Sequence, residues 1–174
     1  MAIEVHEYDP AWPEHARRAI DELTTAAGGW LTVIEHIGST SVPGLAAKPI
    51  IDLMAAAQTL DDPAAEEAVV ALGYRRMEFQ MPQRLSFKRY GPEIGYHLHV
   101  VLASSWDTRN QRLFRDHLRE HPADRDAYAE LKRTLAGATH EGDSYTRAKT
   151  ALVQRIVDAA RDSRGLPRVD VWEE

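Results

Sequence analysis

Ile34-Glu-His-Ile-Gly-Ser-Thr-Ser-Val-Pro-Gly-Leu-Ala-Ala-Lys-Pro-Ile-Ile-Asp52 is the stretch on which the reading of this chain turns. Its ends are apolar and suit two buried strands. Its middle is small and polar. Trp30 to Ile37 alternates, with Val33, Glu35 and Ile37 on one face and Ile34 and His36 on the other. Gly38 breaks the strand and permits positive φ or a close backbone approach. Ser39, Thr40 and Ser41 follow as hydroxyl donors, and Lys48 is held extended by Pro49. Pro49 to Ala57 is almost continuously apolar, as a central strand should be. Asp52 interrupts that run. A carboxylate inside a sheet is expensive unless a cation, a metal or hydrogen-bond donors stand beside it.

A hydroxyl-bearing loop with free backbone N–H groups, placed beside a carboxylate, is a phosphate-binding arrangement. A Gly-Ser pair followed by an aspartate on the next strand has the form of a nucleotidyltransferase site. The usual Asp-x-Asp or Asp-x-Glu is absent, because the strand reads Asp52-Leu53-Met54. Met54 faces the same way as Asp52 and is no ligand for Mg²⁺. Gly95 to Leu102 is the other strong strand, with His97 and His99 on one face. Two imidazoles aimed at one point suit metal binding, phosphate binding or proton transfer.

The rest of the chain predicts helices over 10–27, 63–72, 106–120, 123–136 and 143–161, and strands over 74–79 and 84–90. Asp9 and the Asp61-Asp62-Pro63 segment are placed as helix caps, and Gly28-Gly29 and Gly73 as stops. Residues 165–174 read as a tail that Trp172 could dock. The expected fold is α+β in one domain: a mixed, mostly antiparallel sheet with helices mainly on one side, the last three forming much of that layer.

Composition narrows the function. The 174 residues include no cysteine, so disulfides, thiolate zinc and a cysteine nucleophile are excluded. No apolar run reaches the length of a membrane span, and no signal layout opens the sequence. The cytoplasm is the expected location. A formal net charge of −6 argues against a broad nucleic-acid surface. Between Arg75 and Arg89, however, Arg75, Arg76, Arg84, Lys88 and Arg89 face only Glu78. Arg84 and Lys88 share one strand face and are candidates for a phosphorylated ligand.

His36-Ile-Gly-Ser-Thr-Ser-Val-Pro-Gly-Leu-Ala-Ala-Lys-Pro-Ile-Ile-Asp52 resembles the signature of the GrpB family, also called UPF0157. His97-Leu-His-Val-Val101, Arg115-Asp-His-Leu-Arg119, Tyr128-Ala-Glu-Leu-Lys132 and Tyr145-Thr-Arg-Ala-Lys149 agree with it. The resemblance covers about Val5 to about Asp158. It implies a polymerase-β-like nucleotidyltransferase fold. It also implies that Lys149, neighbour to Tyr145 on one helix face, points toward ligand phosphates. The first functional expectation is nucleotidyl transfer from a nucleoside triphosphate to a small acceptor. Gly38, Ser39, Thr40, Ser41, Lys48, Arg84, Lys88, Tyr145 and Lys149 would bind the nucleotide. Asp52, His97 and His99 would be catalytic. Asp52, His97, His99 and His36 would hold a divalent metal: Mg²⁺ or Mn²⁺, or Zn²⁺ if the imidazoles ligate. The rival is a binding module for a nucleotide or a phosphopantetheine-like ligand, or a chaperone-like partner of another protein, since GrpB-like domains occur fused to dephospho-coenzyme A kinases. A metal-dependent hydrolase is the third. The expected partner is a small phosphorylated ligand, and an oligomer is compatible with the sequence.

Overall fold

The structure, a computed structural model, describes residues 4–78, 83–138 and 142–171; the side chains of 138 and 142–148 lie outside that description. The sheet has the order β1-β2-β5-β4-β3. Its strands are β1 (Leu31–Ile37), β2 (Ile50–Ala57), β3 (Arg75–Met77), β4 (Arg84–Tyr90) and β5 (Gly95–Leu102). Only the central β2–β5 pairing is parallel; the other three are antiparallel. The mixed, mostly antiparallel sheet is the one expected.

Helices α1 (Trp12–Ala27) and α2 (Pro63–Ala71) cover one face. The α1 stripe of Trp12, Ala16, Ala19 and Leu23 meets Ile51, Leu53, Ala55, Phe87, Leu98 and Val100 in the main core. These positions follow the period of 3.6 on the helix and of two on the strands. Asp62 caps α2 by accepting the Ala65 N–H at 3.0 Å. Asp9 accepts instead from the Ala11 N–H at 2.8 Å, in a turn just ahead of α1, which starts two residues later than expected.

The C-terminal helices α3 (Asn110–Glu120), α4 (Pro122–Ala138) and α5 (Gly142–Asp162) do not extend that layer. They pack on one another and on the 38–48 loop around Val42, Leu45, Leu118, Tyr128, Ala129 and Ile156. Arg112 and Arg115 of α3 reach Glu35, which shares the sheet face opposite α1. The physical reason lies in the charge of α3: its arginines seek a carboxylate and loop carbonyls, not an apolar sheet. Residues 103–108 form a 3-10 turn ahead of α3. The segment after α5 is strapped to that helix, as Gln154 donates to the Val169 carbonyl at 2.9 Å and accepts from the Val171 N–H at 3.1 Å. Trp172 lies outside the described residues. Among the described residues no helix is long and apolar enough to cross a membrane.

Candidate functional site: a lysine-lined pocket at the Gly38 loop

Strand register sets the floor of the site. Asp52 pairs with Ile37 on one side and with His97 on the other, and His97 pairs with Lys88. These side chains share the face turned away from α1. Asp52 lies near the start of β2, and its side chain is 27% exposed. His97 Nδ1 stands 3.4 Å from Asp52 Oδ1, and His99 Nε2 stands 3.9 Å from the same oxygen. Burial pushes the Asp52 carboxyl up, but the two imidazoles more than offset this and bring it down to about 2. Asp52 is therefore a carboxylate at every physiological pH. His97 Nε2 is buried and meets no hydrogen-bond partner among the described residues.

The loop crosses directly over this carboxylate. Gly38 has φ 73° and ψ −176°, a region essentially reserved for glycine. A Cβ there would lie 2.5 Å from Asp52 Oδ2 and 3.0 Å from Asp52 Cβ. Ser39–Ser41 then makes one turn of 3-10 helix. Thr40 Oγ1 donates to the Ile50 carbonyl at 2.9 Å, and Ser41 Oγ donates to the Gly38 carbonyl at 2.5 Å. A hydroxyl has one proton to give. Thr40 and Ser41 thus give these protons to the chain's own carbonyls, and Thr40 also lines the cavity beside Asp52. Ser39 hydrogen-bonds Tyr128. Arg119 of α3 closes the outside by donating twice to the Ser41 carbonyl, at 3.0 and 2.8 Å.

A cavity of about 190 Å³ opens between these parts, lined by Ser39, Thr40, Asp52, His97 and by Lys48, Lys132 and Lys149. The lysines come from the loop, α4 and α5. Lys132 is only 3% exposed, and its Nζ sits 4.7 Å from the centre of the Tyr128 ring. Burial, then Lys149, Lys48 and Arg133, lowers its ammonium to about 7 against the opposing pull of Asp52. Burial also lowers Lys149, and burial with the nearby Lys149 charge lowers Lys48. Lys132 is the residue that the sequence did not single out as a ligand group. A signal was present: Tyr128-x-x-x-Lys132 repeats the spacing of Tyr145-x-x-x-Lys149.

Other expected residues stand elsewhere. His36 pairs with Leu53, so it lies on the other face from Asp52, and its Nε2 is 2.9 Å from Thr40 Oγ1. Since the Thr40 proton goes to Ile50, His36 is the donor, and it holds the loop instead of a metal. Lys88 shares the face of His97 without lining the cavity. Arg84 pairs with Val101, four residues along β5 from His97 and about 13 Å away at strand rise. It is corrected as a ligand of this pocket. Of the basic cluster, Arg76 and Arg89 are paired with Glu66 and Glu22. The Tyr145 side chain lies outside the described residues.

The donor set does not fit the expected metal. Among the described residues no three His, Asp or Glu side chains are grouped to hold one. The position where a second carboxylate would face Asp52 holds Met54, fully buried with Ile37 and Val101. Cations, not carboxylates, supply the remaining charge.

A family model described as GrpB protein matches residues 2–159. The chain belongs to the GrpB family. It is 40% identical to a UPF0157 protein of Pseudomonas aeruginosa over 91% of this chain and 67% of that one. A segment covering 58% of this chain is 35% identical to the dephospho-CoA kinase of Mycobacterium bovis, spanning 26% of that protein. The crystal structure of GrpB from Enterococcus faecalis superposes with a TM-score of 0.80 at 32% identity, covering 93% of this chain and 99% of that one. The Cid1 poly(U) polymerase, solved with Mg and 3'-dATP, gives a TM-score of 0.50 at 13% identity over 75% of this chain and 45% of that one. This GrpB-family chain thus has a nucleotidyltransferase-like fold.

Proposed function

We propose that this protein takes a nucleoside triphosphate by its phosphate chain and transfers the nucleotidyl group to a small acceptor. The observation that carries this reading is the convergence of Lys48, Lys132 and Lys149 with Ser39 on one side of the cavity and the Asp52–His97 pair on the other. A cavity of about 190 Å³ admits a phosphate chain, while a whole nucleotide calls for more room. Base and sugar would lie at the open side, where Tyr90 stands edge-on to His97 with 6.3 Å between ring centres and is 69% exposed.

The acceptor oxygen would form a bond to the α-phosphorus as the bond from that phosphorus to the bridging oxygen of pyrophosphate breaks. The acceptor proton passes to the Asp52–His97 pair. Asp52 itself, held near pKa 2, orients and stabilises the charged imidazole more than it takes the proton. The lysines offset charge gathering on the leaving pyrophosphate.

A second reading has its own support. Buried Met54 removes the acid partner of Asp52, which favours a binding module for a nucleotide or, given the dephospho-CoA kinase relatives, a phosphopantetheine-bearing ligand. Pyrophosphate release, measured with a panel of nucleoside triphosphates and small hydroxyl acceptors, separates the two. Transfer predicts release in the parent chain and a fall of roughly 10²- to 10⁴-fold in Asp52→Asn, with a stability loss of no more than about 1 kcal/mol. Tight binding with no release across the panel refutes transfer and leaves the module.

A further inference from the structure

In this site positive charge comes from side chains of three separate elements. Lys48 ends the loop that crosses Asp52, Lys132 is a nearly inaccessible residue of α4, and Lys149 lies on α5. The Nζ atoms of Lys132 and Lys149 lie 4.7 and 6.0 Å from the centre of one ring, that of buried Tyr128. Among the described residues, Asp52 is the carboxylate that lines the cavity with these three ammonium groups. Gathering like charges out of water is costly, and the cost is relieved when an anion arrives between them. The same cavity lacks the second acid that would hold a metal ion against a phosphate chain, because Met54 fills that place with hydrocarbon.

We infer that the pocket binds a di- or triphosphate group without any divalent cation, Lys48, Lys132 and Lys149 together doing the charge compensation that a metal ion would otherwise provide. This rests on the phosphate-chain reading of the pocket given above, and goes beyond it in naming what neutralises the ligand. Among the described residues, the charged groups that act on Lys132 are Lys149, Lys48, Arg133 and Asp52, and the Tyr128 ring centre lies 4.7 Å from its Nζ. An ammonium that burial has lowered to about 7 is only partly protonated at neutral pH. A phosphate chain set against it draws the missing proton from solution, so binding at pH 7 is accompanied by proton uptake.

The test is titration calorimetry of the whole chain with inorganic tripolyphosphate at physiological ionic strength. It is run in excess EDTA, then with Mg²⁺ or Mn²⁺, and repeated in buffers of differing ionisation enthalpy. Binding is expected in EDTA, weaker once Mg²⁺ masks the ligand's charge, with net proton uptake at pH 7. Lys132→Met and Lys149→Met should each weaken it by roughly 10- to 100-fold, the span of one charge-assisted hydrogen bond. Lys132→Met keeps the volume and removes a buried charge, so its melting temperature should not fall. Binding seen only with a divalent metal overturns the inference and leaves the phosphate reading standing. So does unchanged binding by Lys132→Met in EDTA. Failure of tripolyphosphate to bind under either condition removes both.

Discussion

Gly38→Ala tests whether the loop and the carboxylate are one assembly. The new methyl would meet Asp52 Oδ2 at 2.5 Å and Asp52 Cβ at 3.0 Å. Holding a non-glycine residue at φ 73° and ψ −176° adds about 1–3 kcal/mol of backbone strain. Pushing Asp52 away from His97 and His99 adds about 1 kcal/mol more, the scale of one partly exposed ion pair. The sum is about 2–4 kcal/mol. For a chain of 174 residues this lowers the melting temperature by roughly 5–15 °C. Thermal denaturation followed by circular dichroism reads it, with Gly137→Ala as the control. A Cβ at Gly137 of α4 meets nothing within 4 Å among the described residues, and alanine there should stabilise by about 0.5–1 kcal/mol. The variant that does fold should also bind tripolyphosphate poorly, because Asp52 will have turned into the cavity. A Gly38→Ala protein that melts with the parent and binds like it refutes the geometry on which the site is built.

Two further outcomes follow from groups near the loop. Burial first, with smaller contributions from Arg119 and Arg115 against an opposing Asp52, lowers His36 from 6.5 to about 4. The unfolded chain thus takes its proton first, and the stability contributed by neutral His36 is full above pH 6.5 and falls away toward pH 4. The loss is about 3 kcal/mol, and His36→Gln should flatten that part of a stability–pH profile from urea denaturation; an unchanged slope contradicts the assignment. Glu35→Ala leaves Arg115, 8% exposed and bonded to Glu35 at 2.6 Å, without its main carboxylate on β1. A loss of about 3 kcal/mol is expected by denaturant unfolding, and a change below about 1 kcal/mol would show that Asp116 alone suffices.

The strands, their faces and the position of Gly38 were legible because they follow from local rules. Apolar alternation with a period of two puts Asp52 and His97 on definable faces, and a glycine between two strands marks a backbone that other residues adopt only under strain. Lys132 was not legible, since a lysine between Leu131 and Arg133 on an amphipathic helix reads as solvent-facing. It is buried only because α4 crosses the end of the loop, a tertiary fact. The hydrogen bonds of Thr40 and Ser41 were not legible for a related reason: a hydroxyl's preferred partner depends on where the chain's own carbonyls come to rest. For Arg84 and Lys88 the even spacing gave the face and could not give the distance along it. Nor could helix periodicity say which side of the sheet the α3 arginines would choose. That was decided by Glu35.

The single parallel seam of the sheet has a temporal meaning. Asp52 and His97 sit on strands that cannot meet through a hairpin; all of α2, β3 and β4 intervenes between them. Long closures of this kind are the slow events of folding. The pocket therefore exists only once this long-range pairing has closed. Any occupant that bridges the seam would act as a clasp on the entire molecule, and its loss would be felt as far away as α1.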